Sequence, residues 1–159
     1  MSAGYNEPTV TNDLSYLAPK FREAVMASIR ECNASGLDAV VYESYRSNEL
    51  QALYYKRGRT IIPPISTVTN AKSNTYSWHG YGLAVDVISK SKQWKKPASW
   101  FEDVADIFKR HGCKWGGDWK SVDLPHMQWG ACKPSPSTVA RTLLVNSGTE
   151  AVWKAVGAI

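Results

Sequence analysis

The sequence predicts an α+β fold, because strand-like segments with period-two alternation interleave with segments of helical periodicity along one chain of ordinary globular composition. Its 159 residues are 43% hydrophobic and 21% charged, which suits one compact domain able to bury its own core. A third observation is the placement of the histidines: two of the three, His79 and His126, lie beside strand-like segments.

The elements follow in order. Residues 1–19 read as an irregular lead-in. Residues 21–32 carry Phe21, Val25, Met26, Ile29 and Cys32 at helical spacing, ahead of a break at 33–36. Residues 38–45 are rich in β-formers, with Val40 and Tyr42 on one face and Val41 and Glu43 on the other. Ser47 suits the N-cap of a helix through Leu50, Leu53 and Tyr54 that ends at Gly58. Residues 59–76 contain the breaker pair Pro63-Pro64 and read as a long loop, a candidate rim for a cleft.

Residues 83–89 predict a second strand, with Ala84, Asp86 and Ile88 on one face and Leu83, Val85 and Val87 on the other. Ser99 and Glu102 have the spacing of a capping box that opens a helix to about His111, stopped by Gly112. His111 is expected to interact with that helix's C-terminus. Residues 115–119 read as a tight turn and 126–129 as a third strand. Residues 138–145 and 150–156 predict two short helices, which gives a main domain over 1–133 and a helical extension over 134–159 expected to pack on it.

Composition narrows the function classes. No apolar run reaches the length of a membrane span, and the start lacks the basic-then-apolar order of a secretory signal, so synthesis in a cytoplasm is expected. Cys32, Cys113 and Cys132 form no CxxC pair and are odd in number, so buried free thiols fit better than a disulfide framework. The net charge of +5 and pI near 9.1 favour an anionic partner. Nucleic acid is disfavoured because the basic residues are scattered; their densest group, Lys90, Lys92, Lys95 and Lys96, reads as a solvated loop. Trp78, Trp115, Trp119 and Trp129 are expected to build core and cleft walls.

Ser77-Trp78-His79-Gly80-Tyr81-Gly82-Leu83-Ala84-Val85-Asp86 and, downstream, Asp123-Leu124-Pro125-His126 carry the chemistry. His79 and Asp86 are joined by a turn that Gly80 and Gly82 permit, and His126 on a later strand can close a three-ligand set. Two imidazoles and one carboxylate suit zinc with an open position for water. An acid in an otherwise apolar strand also needs a partner, because burying an unpaired charge is expensive. Asp123 is placed to take a proton from the attacking water and pass it to a leaving amine. Each residue has a bland reading beside this one: His79 as a loop histidine, Asp86 as a salt-bridge partner, Asp123 as a turn residue before Pro125.

The combined motifs resemble the metallopeptidases of the D-Ala-D-Ala carboxypeptidase type, and within them the L-alanyl-D-glutamate endopeptidases of phage endolysins. The resemblance extends upstream to Ser44-Tyr45-Arg46-Ser47, Gln51, Leu53-Tyr54 and Arg57-Gly58-Arg59-Thr60, and covers about residues 17–132. It implies a Hedgehog/DD-peptidase-like fold with a small central antiparallel sheet. It also implies zinc held by His79, Asp86 and His126, Asp123 as catalytic base, and Arg46 as the group that polarises the substrate carbonyl, a role for which a fixed guanidinium is suited. Gln51 and Ser77 are expected to bind substrate or orient neighbouring groups. Some relatives have Glu where Asp123 stands, and the shorter carboxylate resembles the endolysin branch.

The implied activity is hydrolysis of peptidoglycan stem peptides at the L-alanyl-D-glutamate bond. D,D-carboxypeptidase action is the close alternative, and a metal-binding interaction module is disfavoured by Asp123. The expected partner is peptidoglycan, with no nucleic acid and no stable membrane insertion, for a monomer made in a host cytoplasm that reaches the wall after membrane permeabilisation.

Overall fold

Alternating side chains on short strands cannot bury both of their faces alone, and here two helices cover one face of a four-stranded sheet while the other is left for chemistry. The computed structural model describes residues 8–57, 59 and 69–159. Residues 1–7 of the lead-in, Gly58, and residues 60–68 with the Pro63-Pro64 pair lie outside the described residues.

The elements run α1 (Pro19–Ala34), β1 (Ala39–Glu43), α2 (Asn48–Lys56), β2 (Ala84–Ser89), α3 (Ala98–Arg110), β3 (Cys113–Trp115), β4 (His126–Trp129), α4 (Thr138–Ser147) and α5 (Thr149–Ala155). The strands are ordered β1-β2-β4-β3, and every neighbouring pair is antiparallel. This is the α+β fold with a small central antiparallel sheet.

Phe21, Val25 and Cys32 of α1 and Val104, Ala105 and Phe108 of α3 pack with Val85, Val87 and Met127 of the sheet into one core. A buried aliphatic or aromatic side chain of this kind contributes about 1.5–3 kcal/mol. The exposed Lys109–Asp118 pair (2.8 Å) belongs to a class worth about 0–1 kcal/mol, so the core holds the frame. Met26, placed on the apolar face by its spacing, instead points outward and is 43% exposed. The inward stripe runs through Ala24 and Ser28, whose hydroxyl donates to the Ala24 carbonyl at 2.7 Å.

Three local expectations are corrected. Residues 115–119 are more than a turn: Cys113–Trp115 forms the edge strand β3, paired with β4, and a 3-10 turn over Gly116–Asp118 follows. The Ser99–Glu102 capping box does not form, because Pro97 is the N-cap and Ser99 already lies inside the first turn. His111 ends α3, but its Nε2 lies 3.2 Å from Glu31 Oε2 on α1, so it bridges two helices and does not serve its own C-terminus.

All three cysteines are buried free thiols, and burial pushes their pKa values up to about 11 for Cys32 and about 12 for Cys113 and Cys132. Such thiols stay protonated and unreactive. The segment after residue 133 lies against the rest of the chain. Val152 and Ala158 are buried, the Trp129 indole donates to Val156 O at 2.7 Å, and the Trp153 indole donates to Tyr81 O at 2.6 Å.

Candidate metal centre

The sheet places three polar side chains in a row. Register pairs Glu43 of β1 with Asp86 of β2, and Asp86 with His126 of β4. A bulge between Val41 and Glu43 sets the first of these pairings. Because Val85, Val87 and Met127 alternate into the core, Asp86, His126 and Gln128 face the opposite side.

His79 reaches the same point from the turn before β2. The Ser77 hydroxyl caps the 3-10 turn Trp78–Tyr81 by accepting from His79 N at 3.3 Å, and Gly82 ends it in the left-handed region at φ 68°. A side chain at Gly80 would collide with the backbone of Asn74, so that glycine is needed for space.

Hydrogen bonds decide which ring nitrogens face inward. His79 Nδ1 lies 3.3 Å from Ser44 O. A carbonyl only accepts, so Nδ1 carries the proton and Nε2 presents its lone pair to Asp86 Oδ1, 3.3 Å away. Gln128 Nε2 donates to Lys133 O at 2.8 Å, which turns Gln128 Oε1 towards His126 Nε2, also at 2.8 Å. His126 therefore donates from Nε2 and presents Nδ1 to Asp86 Oδ1 at 3.8 Å. The two lone pairs and the carboxylate oxygen all lie within 4.8 Å of one another.

Asp86 Oδ1 is buried and has no hydrogen-bond partner among the described residues. An acceptor stranded among acceptors is costly unless a cation joins it. Two imidazoles and one carboxylate form a donor set that fits a divalent transition metal, zinc above all.

The electrostatics agree with that use. Burial alone would raise the Asp86 pKa, but the His79 ring, then Arg46 and His126, outweigh it and hold the carboxylate well below the usual range. Burial first, and the neighbouring His79 second, push His126 down to about 4, so its imidazole is neutral at pH 7. Asp123 keeps 48% of its side chain exposed and has Oδ2 3.8 Å from His126 Nδ1. Burial around its carboxyl, then the charge of Asp86, push it up to about 6.

Arg46 is 8% exposed. Its Nε donates to Glu43 Oε1 at 2.8 Å, its Nη2 also pairs with Glu43, and its Nη1 donates to Gln51 Oε1 at 2.8 Å. Nη2 lies 3.7 Å from Asp86 Oδ2, and the guanidinium stacks on the Tyr54 ring at 4.7 Å. Burial opposes its charge, but Glu43 and Asp86 prevail and keep it cationic. Three of its five N–H donors are engaged in these hydrogen bonds.

His79, Asp86, His126, Asp123, Arg46 and Ser77 all line one cleft of about 710 Å³. Gln51 does not. It is fully buried, and its amide nitrogen donates to Ala71 O at 2.6 Å while its oxygen takes the Arg46 bond. Of the two roles expected for Gln51, its contacts fit the orienting of a neighbouring group and not contact with the cleft: it braces Arg46. Two residues were missed by the sequence reading. Glu43, buried three positions before Arg46, carried a signal, since a buried acid needs a cation. Gln128, two positions after His126 on the same strand face, carried a weaker one.

The fold and the site define a metal-dependent hydrolase built on a small α+β frame. Residues 71–129 match the family model described as D-alanyl-D-alanine carboxypeptidase. The chain is 34% identical over 132 residues to the peptidoglycan L-alanyl-D-glutamate endopeptidase CwlK of Bacillus subtilis, covering 75% of each. It is 25% identical over 134 residues to an L-alanyl-D-glutamate peptidase of a Listeria phage, covering 81% of this chain and 43% of that longer protein. Among solved structures, the fold matches the L-Ala D-Glu endopeptidase ChiX of Serratia marcescens with a TM-score of 0.55 at 22% identity, over 73% of this chain and 82% of the other. It also matches the vancomycin resistance D,D-pentapeptidase VanY in complex with Zn(II), with a TM-score of 0.53 at 15% identity, over 84% and 82%. This chain belongs to that family of peptidoglycan metallopeptidases.

Proposed function

We propose that this protein is a zinc endopeptidase that hydrolyses the L-alanyl-D-glutamate bond of peptidoglycan stems. The observation that carries the metal chemistry is the stranded Asp86 Oδ1, which the lone pairs of His79 Nε2 and His126 Nδ1 face at the floor of an open cleft. The choice of bond rests on the 34% identity to an endopeptidase of that specificity.

His79 Nε2, Asp86 Oδ1 and His126 Nδ1 would hold the ion, which when bound supplies Lewis acidity to a carbonyl and makes water a better nucleophile at neutral pH. Asp123, at the open side of the ligand cluster, takes a proton from the attacking water on its carboxylate and returns it to the departing amine. Arg46 presents its guanidinium to the developing oxyanion. Glu43 and Gln51 keep the guanidinium from swinging away, and Ser77 fixes the turn that carries His79. Among the described residues no helix is long and apolar enough to cross a membrane. With a phage peptidase among the relatives, we assign the protein the role of an endolysin, made in the host cytoplasm and acting on the wall once the membrane is permeabilised.

Digestion of purified peptidoglycan, followed by identification of newly freed termini, tests the bond. New N-terminal D-glutamate supports the endopeptidase. Released D-alanine alone supports the second reading, a D,D-carboxypeptidase, which the family description favours. Loss of activity on chelation and its return with zinc tests the metal.

A further inference from the structure

The protein has seven tryptophans, and six have a structural task. The indoles of Trp78, Trp115, Trp129 and Trp153 donate to backbone carbonyls. Trp100 packs edge-on against Phe101 in the core, and Trp119 lies 4.7 Å from the His126 ring. Trp94 differs. It is 48% exposed and stands outside the core.

The loop nevertheless holds Trp94 in place. Asp38 accepts from the Ser89 hydroxyl at 2.8 Å, from Ser91 N at 2.9 Å and from the Ser91 hydroxyl at 2.6 Å. Ser89 bridges to Gln93, which takes the left-handed conformation at φ 56°. A non-glycine residue there costs conformational energy and persists only when its surroundings impose it. The outcome is a Trp94 ring set edge-to-face on Tyr42 at 4.6 Å, with both rings lining the cleft that contains the metal-ligand cluster.

Resting on the peptidoglycan reading above, we propose that Trp94, braced by Tyr42, is a stacking platform for a pyranose ring of the glycan strand. The stem residues around the cleaved bond are a small alanine and an acidic glutamate, and neither presents a flat apolar face. An N-acetylated hexopyranose does: its axial C–H groups pair with the electron-rich face of an indole. The nitrogen of the stem's L-alanine is attached to the sugar's lactyl group, so the sugar must lie within one residue of the scissile bond and in the same cleft. The lysine-bearing loop of residues 90–96 around Trp94 adds long-range attraction for an anionic wall polymer.

The test compares kcat/KM for a disaccharide-linked stem peptide with that for the same peptide lacking sugar, in the zinc-loaded full chain. Wild type is expected to prefer the glycan-linked substrate by about tenfold, the scale of one aromatic stack. Trp94→Ala should bring that ratio towards one, and Trp94→Phe should keep part of it. Titration with a peptide-free glycan fragment should give heat with wild type and none with Trp94→Ala. A ratio unchanged by Trp94→Ala, or equal efficiency of wild type on both substrates, overturns the platform. Cleavage of neither substrate by wild type overturns the peptidase reading instead.

Discussion

Gln128 Oε1 accepts from His126 Nε2 at 2.8 Å, and this contact settles which nitrogen of His126 turns towards Asp86. The Gln128 amide is itself fixed by the carbonyl of Lys133, so the ring is oriented through two successive bonds. Gln128→Leu removes the acceptor and should weaken metal affinity by about 10–100-fold. Competition against a chromogenic chelator measures it; an unchanged affinity would show that packing alone orients the ring.

Asp123 lies 3.8 Å from His126 but outside the cluster of three ligands. Asp123→Asn should therefore retain its zinc while kcat falls by about 10²–10⁴-fold. Elemental analysis and single-substrate kinetics on the same preparation separate the two effects. A wild-type rate would remove Asp123 from the proton path.

Glu43 is 1% exposed and holds Arg46 through two donors. Glu43→Gln leaves a buried guanidinium short of its main counter-charge, which should cost about 3–5 kcal/mol of folding free energy. The same change frees Arg46 to drift, so kcat should fall more than KM rises. Urea unfolding would contradict this account if the loss stayed below about 1 kcal/mol, the range of an exposed pair.

Asp38 gives a pH dependence remote from the metal centre. Hydrogen bonds from Ser91 first, then Ser89, hold its carboxyl below the ordinary value of 3.8. A depressed folded-state pKa contributes stability that is present above the unfolded value and lost as pH falls through the folded one. The melting temperature of Asp38→Asn should therefore lie below that of wild type at pH 7, with the gap narrowing below about pH 4. A gap that stays constant into strong acid would rule the linkage out.

What was legible in the sequence was mainly local. Ser47 was readable as the cap of α2 because the bond from Leu50 N, 3.1 Å long, closes within three residues. The pattern of β2 was readable because Val85 and Val87 alternate with Asp86, the one residue of the strand that is not fully buried. Cys113–Trp115 was not readable: three residues carry no periodicity, and that strand exists through its pairing with β4. The capping box failed because Pro97 started α3 before Ser99 could cap it. At the site, the histidines and acids stood out through their spacing, whereas the partner of Gln51 was not readable, because Arg46 is brought to it only by the turn into α2. The pairing of Glu43 with Asp86 depends on a bulge that no local pattern announces.

Every side chain assigned to the chemistry precedes residue 134, yet the turn that carries His79 is tied to residues made much later. Trp153 holds Tyr81 O, Val156 O holds the indole of Trp129, and Ala158 O receives Lys20 N at 2.8 Å. A nascent chain that has only just exposed His126 therefore has all its ligands and none of these ties. The last residues of the chain thus fasten the turn and the strand that carry ligands, while supplying no ligand themselves.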